Sequence, residues 1–122
     1  MINHRIIPVL LVQDGYLYKT INFQNSSYIG DPINAVKIFN EKEVDELVIL
    51  DIGISKKGIE PNFDLVNNLA SECFMPVTYG GGIDSLDTAS RIFDLGIEKV
   101  IINSSIEDLN LISNIARRYG KQ

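Results

Sequence analysis

The stretch Thr78-Tyr79-Gly80-Gly81-Gly82-Ile83 places three consecutive glycines after an apolar run, and Asp84-Ser85 then opens a helical pattern. Backbone without Cβ atoms can bring its N–H groups close to an anion at a helix N-terminus. The same residues also make a tight connection that holds no ligand. The spacing is not the Walker pattern, which needs a following Lys-Ser or Lys-Thr, and it is not GxGxxG. Asn103, Ser104 and Ser105 end the next apolar run and add short polar donors. Two neighbouring strand ends, Gly81 and Gly82 on one and Asn103 and Ser104 on the other, make a stronger anion signal than either alone. Lys19 is either an ordinary surface lysine or a cation able to cover a phosphorylated ligand. Asp51 ends the run "LVILD" and reads either as a capping acid or as a functional acid where loops converge.

A second group of charges stands at the opposite ends of these runs. Arg5, Glu46 and Lys99 each open an apolar stretch. Singly, such residues are solvated flanks. Three at equal depth and of mixed sign can instead form a ring of ion pairs across the floor of a barrel. His4 has no clustered partner, so it is expected to be exposed and to form neither a metal site nor a triad. Cys73 is the sole cysteine, which leaves no intrachain disulfide and no cysteine metal cluster. No cofactor is expected.

These groups need elements to position them. The runs Ile6–Val12, Glu46–Ile52, Met75–Ile83 and Glu98–Ser105 are short, rich in Val and Ile, and without clean alternation, which predicts parallel strands covered on both faces. Between and after them lie helical periods. One carries Ile33, Ala35, Val36, Ile38 and Phe39, opened by Asp31 and Pro32. A second carries Phe63, Leu65, Val66 and Leu69 behind Asn62. A third carries Leu86, Ala89, Ile92, Phe93 and Leu95, opened by Asp84 or Ser85 and closed by Gly96. The last carries Leu109, Leu111, Ile112, Ile115 and Ala116, closed by Gly120. Residues between Gly15 and Gly30 predict a small hairpin extension or a mobile loop. Alternation of strand and helix gives an α/β fold of four βα units, either half of a (βα)8 barrel or an open sheet.

The 122 residues suit one domain. Eleven basic against sixteen acidic residues give a formal charge of −5, which argues against a broad nucleic-acid or acidic-membrane surface. The first apolar run is too short to span a membrane, and no signal peptide is read there. A cytoplasmic location fits the single cysteine.

Taken in order, "RIIPVL", "DGYLYKT", "GDP", "DELVILDI", "TYGGGI" and "KVIINSS" resemble the cyclase subunit of imidazole glycerol phosphate synthase, the HisF family. That family folds as a (βα)8 barrel, so the resemblance implies a single HisF-like half-barrel domain over residues 1–122. It implies that Gly82, Asn103 and Ser104, with Gly81 beside them, hold a substrate phosphate and that Lys19 closes over it. It further implies that Asp51 stands at the mouth, and that Arg5, Glu46 and Lys99 belong to a charged gate. Through such a gate ammonia passes from a HisH-like glutaminase partner. In the family, that ammonia attacks a phosphoribulosyl formimino intermediate. The ring closes to imidazole glycerol phosphate and an aminoimidazole carboxamide ribotide is released.

One departure is large. Family cyclases use two aspartates for proton transfer, and the first aligns with Leu11, which cannot transfer a proton. The second belongs to the half of the barrel beyond Gln122. The chain alone is therefore expected to be inactive as a cyclase. Three origins stay open: a partial cyclase, an ammonia-relaying subunit of a surface-glycan amidotransferase system, or a non-catalytic phosphate-binding half-barrel. Physically, a half-barrel leaves strand edges unpaired and one apolar face uncovered, which predicts self-association, pairing with a missing half, or low stability.

Overall fold

The computed structural model describes residues 4–21, 25–54, 59–102 and 109–120, with the backbone alone over 18–21 and 25–29. Six strands form one sheet: β1 (Val9–Gln13), β2 (Tyr16–Ile21), β3 (Asn25–Gly30), β4 (Leu47–Asp51), β5 (Val77–Gly80) and β6 (Lys99–Ile101). Their spatial order is β3-β2-β1-β4-β5-β6. The four strands expected from the apolar runs are β1, β4, β5 and β6, and all pair in parallel. The helices are α1 (Pro32–Glu41), α2 (Phe63–Glu72), α3 (Leu86–Asp94) and α4 (Leu109–Tyr119).

The segment after Gly15 resolves as the hairpin of the two alternatives. Asp14 and Gly15 both have positive φ, 53° and 83°, and form the two-residue connection between β1 and β2. Asp-Gly favours this geometry because its backbone twist matches that of the flanking strands. The hairpin corrects one expectation. The outer edge of β1 is not wholly open, because Val12 pairs with Leu17 and Gln13 with Tyr16. The pairing stops there, so Val9 to Leu11 gain no partner from β2.

Local chemistry starts each helix where the sequence places it. Asp31 Oδ1 accepts from Ile33 N at 3.0 Å with Pro32 at the first helical position. Asn62 Oδ1 accepts from Leu65 N at 3.1 Å, and Ser85 Oγ, not Asp84, caps α3 by accepting from Thr88 N at 3.1 Å. Each side chain satisfies an N–H that the helix leaves without a partner. Gly96, at φ 95°, follows the end of α3.

The buried apolar strand residues share one face. Leu10, Val12, Leu47, Ile49, Val77 and Tyr79 join Val36, Val66, Leu69, Ala89, Ile92 and Ile115 in one cluster. All four helices therefore pack on the same side of the parallel strands. A doubly wound sheet has helices on both sides, whereas one-sided packing makes an arc of a barrel. The expectation of two covered faces is corrected: on the helix-free side Val9 and Ile101 are 52% and 41% exposed. In eight-stranded barrels that face is filled by side chains from opposite strands. The helix stripes are also narrower than the pattern suggests, since Ile38, Leu109 and Ile112 face solvent. No described helix is long and apolar enough to cross a membrane.

Candidate functional site

Parallel strands put all their starts at one end of the sheet, and the floor charges meet there. Glu46 Oε1 lies 2.9 Å from Arg5 Nη2 and 2.9 Å from Lys99 Nζ. The expected ring of mixed charge is thus a shared carboxylate between two cations. Backbone bonds hold each member in place. Ile6 N donates to Asp45 Oδ2 at 2.6 Å, while Asp45 N donates to Ile6 O at 3.0 Å, and this fixes the segment that carries Arg5. Glu98 N donates to Val77 O at 2.9 Å, which sets Lys99 against β5. Asp45 is a positioning residue that sequence reading passed over; its signal was an acid one residue before Glu46.

The Glu46 side chain is only 11% exposed, whereas its two partners reach solvent. The hydrogen bond from Lys99 lowers the Glu46 pKa most; burial opposes this, and Arg5 reinforces the lowering. A carboxyl held below its ordinary 4.5 contributes stability above that value and loses it as pH falls through the lowered one. Glu46→Gln is therefore expected to be less stable than the wild type at neutral pH. Denaturant titrations on moving to acid should show the gap closing below the ordinary carboxylate range.

At the opposite end, Asp51 Oδ1 accepts from Gly53 N at 2.9 Å, so its capping role is real. Strand register pairs Asp51 with Val12. This puts it on the parity of Leu47 and Ile49, the helix-packed face, and not with Val48 and Leu50. Burial is the main cause that raises its pKa; the Gly53 N–H opposes this and the charge of Asp14 adds to it. Tyr79 stands beside it, fully buried, and its Oη has no hydrogen-bond partner among the described residues. Burial, then the Asp51 charge, pushes the Tyr79 phenol upward.

Gly81 and Gly82 have φ of 135° and 71°. A Cβ at Gly81 would sit 2.9 Å from Asp51 Cβ and 3.0 Å from Tyr79 Oη. A Cβ at Gly82 would sit 2.8 Å from Ile54 Cγ2 and 3.0 Å from Ile59 O. The tight-connection reading thus has a geometric cause at both positions. Asn103 and Ser104 lie outside the described residues, as does the side chain of Lys19, whose backbone belongs to β2. Leu11 pairs with Leu50 and shares the helix-free face with Val9. Gln13, two residues further along that face, brings an amide to the mouth, its Cγ 3.0 Å from where a Gly53 Cβ would lie. The period of two along β1 is the signal that would have found it. His4 is exposed, as expected, and the described residues hold no group of three metal-ligating side chains.

A family profile described as "Histidine biosynthesis protein" matches residues 5–122. The chain is 54% identical, over its full length, to a protein of Pseudomonas aeruginosa provisionally named imidazole glycerol phosphate synthase subunit hisF2, of which it covers 49%. It is 57% identical to a provisionally named HisF subunit of Leptospira borgpetersenii, covering 48%. It is 44% identical over 97% of its length to the imidazole glycerol phosphate synthase subunit HisF of Campylobacter concisus, covering 47%. The chain thus spans about half the length of the curated relatives it matches.

Proposed function

The chain belongs to the histidine biosynthesis protein family, and from that premise we propose that it supplies the ammonia-receiving half of a HisF-like cyclase subunit. The observation that carries this reading is the floor cluster. A carboxylate shared by two cations closes the strand-start end of the arc, and either cation can swing away without leaving the acid unpaired. Ammonia from a HisH-like glutaminase partner enters there and travels along the helix-free face past Val48 and Leu50. At the mouth, Gly81, Gly82, Asn103, Ser104 and Lys19 bind a phosphate of the substrate. The ammonia nitrogen then replaces the ketone oxygen of the phosphoribulosyl formimino intermediate, which leaves as water, and closes on the formimino carbon, whose bond to the aminoimidazole carboxamide ribotide breaks, leaving imidazole glycerol phosphate.

Leu11 favours a second reading. With no proton-transfer group at that position, the same floor and mouth suit an ammonia-relaying subunit that feeds a surface-glycan amidotransferase. Both readings share ammonia passage, and one experiment tests it. In a barrel completed by its second half and mixed with the glutaminase, Glu46→Gln is expected to lower glutamine-driven product formation about tenfold. Turnover fed by free ammonium salts should stay within about twofold. Equal losses from both ammonia sources would overturn the gate.

A further inference from the structure

Tyr79 is 1% exposed, and its hydroxyl is the sole buried side-chain polar group among the described residues without a hydrogen-bond partner. Such a group costs free energy in the resting fold, and phenylalanine would fill the same space without that cost. A use for the hydroxyl is therefore to be sought in what surrounds it. A Cβ added at Gly81 would lie 3.0 Å from Tyr79 Oη and 2.9 Å from Asp51 Cβ, so the phenol and the acid flank one glycine. The Asp51 charge acts on the phenol, second only to burial. Yet Asp51 Oδ1 is engaged elsewhere, accepting from Gly53 N at 2.9 Å.

That engaged N–H borders the glycine turn. A Cβ at Gly81 would meet Asp51 O at 3.0 Å, and one at Gly82 would meet Ile54 Cγ2 at 2.8 Å. The backbone at 51–54 and the turn at Gly81 and Gly82 are thus interlocked, with the Gly53 N–H between two of the contacts. We infer that Asp51 is a two-position switch. When a phosphoryl group settles at the Gly81–Gly82 turn, the carboxylate leaves the Gly53 N–H for the Tyr79 hydroxyl, and the freed N–H joins the donors to the anion. Rotation about the Asp51 Cα–Cβ bond makes the exchange, and repulsion between carboxylate and phosphoryl drives it. Burial already raises the Asp51 pKa, so its charge is held at a cost that a neighbouring anion increases. Asp51 ends with a donor, Gly53 ends with an acceptor, and the phenol gains the partner it lacked. The inference rests on the reading that a phosphate binds at the glycine turn, and adds a further donor and the residue that releases it.

The test titrates inorganic phosphate into the full 122-residue chain and follows the backbone amides by NMR, with denaturant midpoints taken separately. The Gly53 amide is expected to shift in the wild type and to stay still in Tyr79→Phe. Tyr79→Phe should bind phosphate about fivefold more weakly, the loss of one hydrogen bond. Its midpoint without phosphate should equal or exceed that of the wild type, because only an unpartnered hydroxyl is removed. Asp51→Ala leaves the Gly53 N–H free at all times, so it should bind at least as tightly as the wild type. In that background Tyr79→Phe should weaken nothing further. A lowered midpoint in Tyr79→Phe would show that the hydroxyl is already partnered, and the switch fails. If the wild type binds phosphate with the Gly53 amide unmoved, or Tyr79→Phe binds equally well, the switch is wrong while the glycine-turn site stands. A wild type that binds no phosphate overturns both.

Discussion

Leu11→Asp, in a barrel completed by the second half of the Exiguobacterium sibiricum relative, is expected to raise ammonium-dependent ring closure about a hundredfold or more. A positioned acid or base contributes roughly 10²–10⁴-fold to a proton-transfer step, and the resemblance to family cyclases implies a second such group in the half being added. Position 11 is suited to the change. It lies on the helix-free face opposite Leu50, one pair before the end of β4, and is half-buried. A carboxyl set among apolar neighbours is pushed up in pKa towards the range where it can give and take a proton near neutrality. The cost is the lost burial of the leucine, roughly 1–2 kcal/mol, which a melting curve will register separately. If the Leu11 barrel already closes the ring at the rate of the aspartate variant, position 11 carries no proton and the relay reading loses its support.

Gly81→Ala is expected to destabilise the chain by about 3 kcal/mol, from roughly 1–2 for the backbone conformation and 1–3 for the close approach. The φ of 135° disfavours any Cβ, and the new atom would meet Asp51 Cβ at 2.9 Å and Asp51 O at 3.0 Å. Neither can swing aside as the tip of a flexible side chain would. Gly96 is the control: its φ is 95°, yet nothing lies within 4 Å of the added atom, so only the conformational part is lost. Denaturant midpoints compare the two. Equal losses at Gly81 and Gly96 would mean that the strand end beside Asp51 and Tyr79 yields easily. The connection would then be too soft to hold backbone donors in place for an anion.

Most of the elements were legible because their signals are local. Asp31-Pro32 and Asn62 start helices by bonding N–H groups two or three residues away, and Asp14-Gly15 closes a hairpin through its own dihedral angles. The floor cluster was legible for a related reason. Once the strands are parallel, residues that begin them must share an end, so Arg5, Glu46 and Lys99 meet whatever the loops do. Features that depend on two distant segments were not. Asn40 and Phe74 are 34 residues apart, and nothing near either announces their hydrogen bond. Tyr79 reads as one more strand residue until its hydroxyl is found against Asp51 and Gly81. Ile38, Leu109 and Ile112 fit the helical period but face water, because a stripe predicts one apolar face and not how much of it a neighbour covers.

By itself the sequence determined the alternation of strand and helix, the helix starts, the end at which each charge lies, and the absence of an acid at position 11. Tertiary structure decided that all four helices pack on one face, that the β2–β3 hairpin covers only the last pairs of β1, and that Asp51 shares the helix-packed side with Tyr79. Periodicity fixes which residues share a side of a strand. Which side is buried depends on where the connecting helices lie, and that is settled only when distant segments pack.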